Sequence, residues 1–374
     1  MTKLDNADDF MDENKHEDTE VNQCASCGGN AVYDPDTRGL KCPFCGTEVE
    51  IEATRENTTE HDYLDALDKA DHSWGDEKRV FKCDNCGAET LLDKDKVADF
   101  CTFCGSSHIT VTENDAGIKP ALVIPFHISK DEAVNKFKKW IAKRYFAPSK
   151  LKHNYELQKI NGAYIPYWTF DSDTDSDYTV KIGTYYYVME TRTVHRDGKT
   201  EQITEQVRKI RWRTKRGNYQ KFYDDVLVKA SKNVASGLID RVEPFQLSGL
   251  LDYRTEYLSG FLAERYSISL KNGWYSARDI IDSRIRNGIL RKETGDEVRI
   301  VNVQTNYDGI TFKHILLPMW ISSFNYNNKV YRFLVNGQTG KVSGHAPVSV
   351  WKISIIVMLL ALVVGVVYFF KDYM

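Results

Sequence analysis

The chain has 374 residues, 42% of them hydrophobic and 28% charged, with a formal net charge of −3, which is enough for two or three domains and a sizeable core. The near-neutral total hides an asymmetry: residues 1–104 hold 11 Lys+Arg against 26 Asp+Glu, a balance of −15, and residues 105–374 hold 39 against 27, a balance of +12. So acidic a first part speaks against nucleic acid as the ligand of the modules it contains.

In chain order, residues 1–22 are acidic and almost free of apolar side chains, so a disordered tail is expected there, and no signal peptide is evident. All eight cysteines then fall into four Cys-x-x-Cys-Gly knuckles: Cys24/Cys27, Cys42/Cys45, Cys83/Cys86 and Cys101/Cys104. The second set repeats the first, with the same spacing between knuckles. Two residues between thiols let one tight turn aim both at a single ion, and the Gly that follows suits a positive φ. The spacing predicts two tandem four-thiolate zinc ribbons, at 23–50 and 80–112, separated by an acidic linker at 51–79. Their hairpins are expected to turn near Asp34-Pro35-Asp36 and Asp93-Lys94-Asp95. Iron in place of zinc, interleaved pairing of the knuckles and disulfides are the alternatives, and disulfides fit a secreted chain that nothing here suggests.

Residues 60–70 suggest a short helix with Tyr63, Leu64 and Leu67 on one side. Beyond a strand at Ile109-Thr110-Val111, the block 118–347 reads as one mainly antiparallel α+β domain. It opens on a buried strand at 121–126. A helix follows, introduced by Ser129 and Glu132 as a capping box, with Ala133, Val134, Phe137, Trp140, Ile141 and Tyr145 as its apolar positions. Strands are expected at 162–170, 178–196, 199–213 and 222–228, with Asp197-Gly198 as a hairpin turn. Helices are expected at 246–266 and 276–291, then strands at 298–307, 311–323 and 329–335, and a turn at 336–340. Ile165-Pro-Tyr-Trp168 and Leu317-Pro-Met-Trp320 form a weak internal echo.

Residues 353–370 are uncharged and strongly apolar, bracketed by Lys352 and Lys371. They predict a transmembrane helix over 351–370, a single-pass C-terminal anchor in the cell membrane with the bulk of the chain cytoplasmic. The basic part would then lie near anionic lipid.

Asp171, Asp173, Asp175 and Asp177 alternate, but a calcium loop would want Gly and Glu where Ser176 and Ile182 stand, so one face of a strand, or a solvated turn, is the better reading. Arg208, Lys209, Arg211, Arg213, Lys215 and Arg216 surround Trp212, a surface for anionic lipid, nucleic acid or an acidic partner, or else a solvated hairpin end. No phosphate loop, His-Glu-x-x-His or Gly-x-Ser-x-Gly motif is present, and cysteines committed to metal leave no thiol nucleophile. No catalytic residue and no small-molecule substrate are expected.

The Cys-x-x-Cys-Gly knuckles, IPYWTFD at 165–171, YLSGFLAERY at 257–266, LLPMW at 316–320 and FLVNGQTGKVSG at 333–344 resemble the bacterial transcription-factor-IIB-type zinc-ribbon membrane proteins. The resemblance implies a bacterial membrane protein working beside SPFH-domain (flotillin-like) or phage-shock proteins at stressed membranes. The combined expectation is an α+β chain: two zinc ribbons holding two zinc ions, one α+β domain and one transmembrane helix. It would be a non-enzymatic, membrane-anchored scaffold for a cytosolic or membrane protein partner. The alternatives are a membrane-tethered nucleic-acid or transcription-machinery binder and an iron-bearing redox protein.

Overall fold

The structure, a computed structural model, describes residues 23–55, 60–68, 78–83, 89–93, 101, 109–112, 118–152, 156–157, 160–196, 199–232, 236–327 and 329–373. The first knuckle pair is carried by β1 (Val32–Asp34), β2 (Gly39–Lys41) and β3 (Glu48–Val49), a three-stranded sheet of its own. Next come β4 (His61–Asp62) and α1 (Tyr63–Asp68), in which Tyr63 is buried but Leu64 and Leu67 face solvent. In the second cysteine region, β5 (Lys78–Cys83) pairs with both β6 (Glu89–Asp93) and β7 (Ile109–Thr112). The turn expected at 93–95 runs out of the described residues.

The remaining elements are β8 (Leu122–Val123), α2 (Lys130–Ala142), β9 (Glu156–Leu157), β10 (Asn161–Arg196), β11 (Lys199–Lys229), α3 (Ser236–Val242), β12 (Leu251–Asp252), β13 (Leu262–Glu264), α4 (Leu270–Lys292), β14 (Glu297–Tyr326), β15 (Lys329–Asn336), β16 (Val342–Gly344) and α5 (Val350–Tyr373). All strands from β4 onward join one 13-stranded sheet. Among the described residues strand outweighs helix, 46% to 27%, so the expected α+β balance is corrected to a fold that is mostly sheet. The reason is continuity. The strands expected at 162–170 and 178–196 are one strand, carried through the aspartate run by bulges at Phe170/Ser172 and Asp171/Asp173. The helix expected at 246–266 is absent. Gly249 and Gly260, the latter at φ +84°, break that segment into single turns and two short strands.

The echo noted in the sequence is a structural duplication. Strands β10 and β14 pair antiparallel with Ile165 opposite Leu317, so Trp168 lies opposite His314 and Trp320 opposite Gly162, three residues to either side. Strand β13 adds parallel to β10 and β11 adds antiparallel to it; β8 adds parallel to β14 and β15 antiparallel. The halves β8–α2–β10–β11 and β13–α4–β14–β15 are thus related by an approximate two-fold through the sheet centre. The match extends to side chains: Trp168 Nε1 donates to Ile268 O at 3.0 Å and Trp320 Nε1 to Ile128 O at 2.9 Å, each to the residue two before its helix.

One face of the sheet carries both helices. Ala133, Phe137 and Ile141 of α2 bury against Phe324 and Phe333, and Ala277, Ile281, Ile285 and Ile289 of α4 bury with Tyr178, Val180 and Ile182 of β10. Ser129 caps α2 without the side-chain bond expected of it. The other face, with Ile165, Tyr167, Ile315, Leu317 and Met319, is covered by Leu238, Ile239 and Val242 of α3.

Among the described residues no helix is long and apolar enough to cross a membrane. This overturns the anchor expected over 351–370, and with it the membrane localisation. The start of α5 is tied to the loop after α2, where Lys352 Nζ donates to the carbonyls of Tyr145 and Ala147.

Replacing Trp320 by Phe leaves the Ile128 carbonyl without its indole donor. A loss of about 1–3 kcal/mol in unfolding free energy is expected, and a similar loss for Trp168→Phe. Urea denaturation checks both, and a neutral result at either position would mean that the two tryptophans are not equivalent anchors.

Candidate metal centre

The four thiols of the first module converge. Cys24 Sγ lies 3.4 Å from Cys45 Sγ, Cys27 Sγ lies 3.5 Å from Cys42 Sγ, and all four fall within 4.8 Å of one another. A tetrahedral ion with bonds of about 2.3 Å would set its sulfurs roughly 3.8 Å apart, so the set fits zinc without rearrangement. Local backbone explains the convergence. Each knuckle closes on itself, Gly28 N–H to Cys24 O at 2.8 Å and Gly46 N–H to Cys42 O at 3.0 Å, with Gly28 at φ +71° and Gly46 at φ +77°. The hairpin between them turns after Asp34, where the sequence predicts it.

The electrostatics of the cluster call for a cation. The backbone N–H of Ser26 draws the Cys24 thiol down to about 6. For Cys27 the Gly29 N–H acts downward, but the crowding thiols of Cys45 and Cys42 outweigh it and push the group up to about 12. Four thiols in one small volume cannot all ionise against each other, and a divalent ion removes that conflict while releasing their protons. Thr47 Oγ1, 3.1 Å from Cys45 Sγ and from Ser26 Oγ, braces the outer side.

The module is not a free appendage. Ala31, Tyr33, Leu40 and Ile51 join the core that contains Phe126, Tyr164 and Trp320. Tyr33 donates to Phe126 O at 3.2 Å and packs edge-on against Tyr257 at 5.6 Å. Its N–H bonds Ser259 O at 3.0 Å, and Ser259 Oγ donates to Ala31 O at 2.7 Å. Val32 closes over Gly260, where a Cβ would lie 3.0 Å from its side chain. In the second module Cys83 and Cys101 are buried in the core of the opposite face, and β6 pairs with β13 through Leu91 and Ala263. Cys86 and Cys104 lie outside the described residues.

The structure also assembles a charged cluster that the motif search missed. Asp171 ends the apolar run of β10 and is 3% exposed at the paired bulges. The oxygens of Glu60, Asp171 and Asp224 come within 4.8 Å of one another. Here the cation is already supplied: Lys313 Nζ lies 2.9 Å from Glu60 Oε1 and 3.5 Å from Asp225 Oδ1. Asp225, at φ +49°, donates its N–H to Asp171 Oδ1 at 2.6 Å. Asp171 holds the Glu60 carboxyl down at about 2, while burial and Glu60 push Asp171 up to about 7. A charged residue closing each of two apolar strands, Asp171 and Lys313, was the available signal. Asp173, Asp175 and Asp177 stand on a strand and do not converge with Asp171: Asn218 Nδ2 reaches Asp177 Oδ1 at 3.1 Å and Gln220 Nε2 reaches Asp175 Oδ2 at 2.8 Å.

No family model matches the chain, and no solved structure matches it. The uncharacterized protein YdjG of Bacillus subtilis (strain 168) is 30% identical over 339 residues, covering 89% of this chain and 91% of that protein. The chain belongs to the family of YdjG.

Cys42→Ser is expected to lose one equivalent of metal by elemental analysis. Hydrogen exchange should accelerate over residues 23–51 and over 257–261, the surface that Tyr33 covers. Unchanged exchange at 257–261 would contradict the docking described above.

A second expectation concerns pH. Asp171 ionises less readily in the fold, at about 7, than in an unfolded chain, at about 3.9. Its contribution is therefore fully present below the lower value and is lost as pH rises through the higher one. Glu60, held at about 2, works in the opposite sense and loses its contribution as pH falls towards that value. Asp171→Asn should gain stability relative to the wild type between about pH 5 and about pH 8, read from urea midpoints at the two values. A difference that is flat with pH would show that Asp171 does not titrate in this window.

Proposed function

We propose that this protein is a non-enzymatic zinc-ribbon scaffold, an adaptor that holds two zinc ions and presents a protein-binding surface. Cys24, Cys27, Cys42 and Cys45 would hold one ion and Cys83, Cys86, Cys101 and Cys104 the other. The observation that carries this reading is the closed four-thiol set of the first module, locked onto the core by Tyr33. Four thiolates fill a tetrahedral ion, so such a site leaves no position for substrate or water, and its chemistry is to fix the chain.

What the locked module presents is an exposed aromatic. Phe44, within the second knuckle, is 79% exposed and rests on Gly29, where a Cβ would lie 2.7 Å from its ring. An exposed, backbone-supported ring beside an acidic metal cluster suits a protein partner better than a polyanion. The resemblance to zinc-ribbon proteins of the transcription-factor-IIB type suggests an SPFH-domain or phage-shock protein as that partner.

The test is in-cell cross-linking with the full chain, comparing wild type, Phe44→Ala and Cys42→Ser. One protein partner captured by wild type, weakened by Phe44→Ala and lost in Cys42→Ser, with two zinc ions per wild-type chain, is the expected outcome. Iron in the purified protein, or a partner indifferent to both substitutions, would overturn the reading.

A further inference from the structure

The longest exposed edge of the fold belongs to β11. Its 31 residues pair with β10 on one side, and among the described residues no strand pairs on the other. The third strand of this layer, β14, stops where Glu297 meets Gly183, so beyond that point β10 and β11 continue as a two-stranded ribbon. An edge of this length leaves a row of N–H and C=O groups open to another chain.

The side chains along that edge are sorted by charge. Residues 208–216 hold six cations and no acid. Two of the cations are committed: Lys209 pairs with Glu190, and Lys215 Nζ lies 2.9 Å from Glu293 Oε2. Arg208, Arg211, Arg213 and Arg216 form no ion pair among the described residues, and all four stand exposed. Arg208 lies over the Tyr185 ring at 4.3 Å and Arg211 over Tyr186 at 5.3 Å. A neighbouring cation, Arg299 of β14, lies over Trp212 at 4.5 Å. Stacking restrains a guanidinium plane while leaving its N–H fork free for a carboxylate. Other acids of this strand pair are already met: Glu205 by Arg192 at 3.1 Å, and, further along, Asp175 and Asp177 by the amides of Gln220 and Asn218.

A second copy of the chain is a poor occupant, because an antiparallel β11–β11 pairing over 208–216 would set one cationic row against another. We propose that the outer edge of β11 over residues 208–216 is a docking strand for an extended acidic polypeptide segment. The segment adds to the sheet through its backbone, and its carboxylates are taken by Arg211 and Arg213 on one face of the strand or by Arg208 and Arg216 on the other. This surface is separate from the thiol site and from Phe44, and would give the adaptor a second point of attachment.

The probe is a fluorescent synthetic peptide of about ten alternating Glu and Val residues, some 33 Å when extended, titrated into the full chain and followed by anisotropy. Its controls are the same peptide with Pro for Val, which keeps the charge and removes alternate N–H donors, a Lys–Val peptide, and duplex DNA of about the same charge. Binding of the Glu–Val peptide should weaken with salt and fall roughly tenfold in the Arg213→Glu/Arg216→Glu variant. It should be unaffected by Lys130→Glu/Lys138→Glu on α2. The Glu–Pro peptide should bind at least about tenfold more weakly, and hydrogen exchange over 208–216 should slow in the Glu–Val complex of the wild type. Equal affinity for Glu–Val and Glu–Pro, or unchanged exchange at 208–216, would overturn strand addition. Tighter binding of the DNA than of the Glu–Val peptide would overturn the acidic polypeptide as occupant.

Discussion

The antiparallel contact between Ile165 and Leu317 is the constraint on which the rest of the fold depends. Around it two prolines occupy central strands, where proline is ordinarily excluded because it cannot donate to a ladder. The flanking strands explain why both are tolerated. On the outer side of β10, β13 pairs as far as Tyr164 and β11 takes over from Tyr167, so Pro166 falls in the gap between them. On the outer side of β14, β8 pairs as far as Leu316 and β15 takes over from Met319, so Pro318 falls in the matching gap. The missing donor sits where one neighbour hands over to another. The proline carbonyls remain useful: Pro166 O accepts from Ala230 N–H at 3.0 Å, and Pro318 O from Gly337 N–H at 2.9 Å. One local rule, met twice, sets the positions of both flanking hairpins and both tryptophan anchors.

The two cysteine modules share one stretch of this frame. Tyr257 to Gly260 receives the first module through Tyr33 and Val32, and β13, directly after, receives the second through Leu91. Segment 257–264 is thus common ground for two modules that are far apart from it in sequence. The order of either module therefore bears on more than a loop, because the aromatic packing of Phe261 on Phe126, with centroids 4.2 Å apart, continues from that stretch into the sheet.

Much of the first thiol site was legible in the sequence, since spacing and glycine placement follow directly from the geometry of a knuckle. Cys24, Cys27, Cys42 and Cys45 converge as their pattern predicts, with both glycines at positive φ. The sheet was legible in pieces only. The aspartate run separated two expected strands, whereas bulges carry a single strand through it between β11 and β14. Segment 246–266 carries apolar residues at helical spacing, yet its glycines and its role as a docking strip for other elements outweigh that period. Of the Glu60–Asp171–Lys313 cluster only a charge closing each of two apolar strands was legible; the convergence was not, because its members come from three distant parts of the chain and follow no local spacing. The Pro-x-Trp echo was visible, but its meaning required the register, which no periodicity supplies.

The distance along the chain between the central partners has a consequence for synthesis. Strand β10 is complete long before β14 leaves the ribosome, and Gly162 waits for Trp320. Such long-range closure makes folding slow and leaves strand edges open in the interim. The cysteine modules emerge first of all, when neither Tyr257 nor Leu262 yet exists to receive them. On the function proposed above, a metal would reach their thiols before the docking surface exists. Under that proposal the order of events is metal first and sheet last, so a shortage of the ion would act at the start of the sequence rather than at its end.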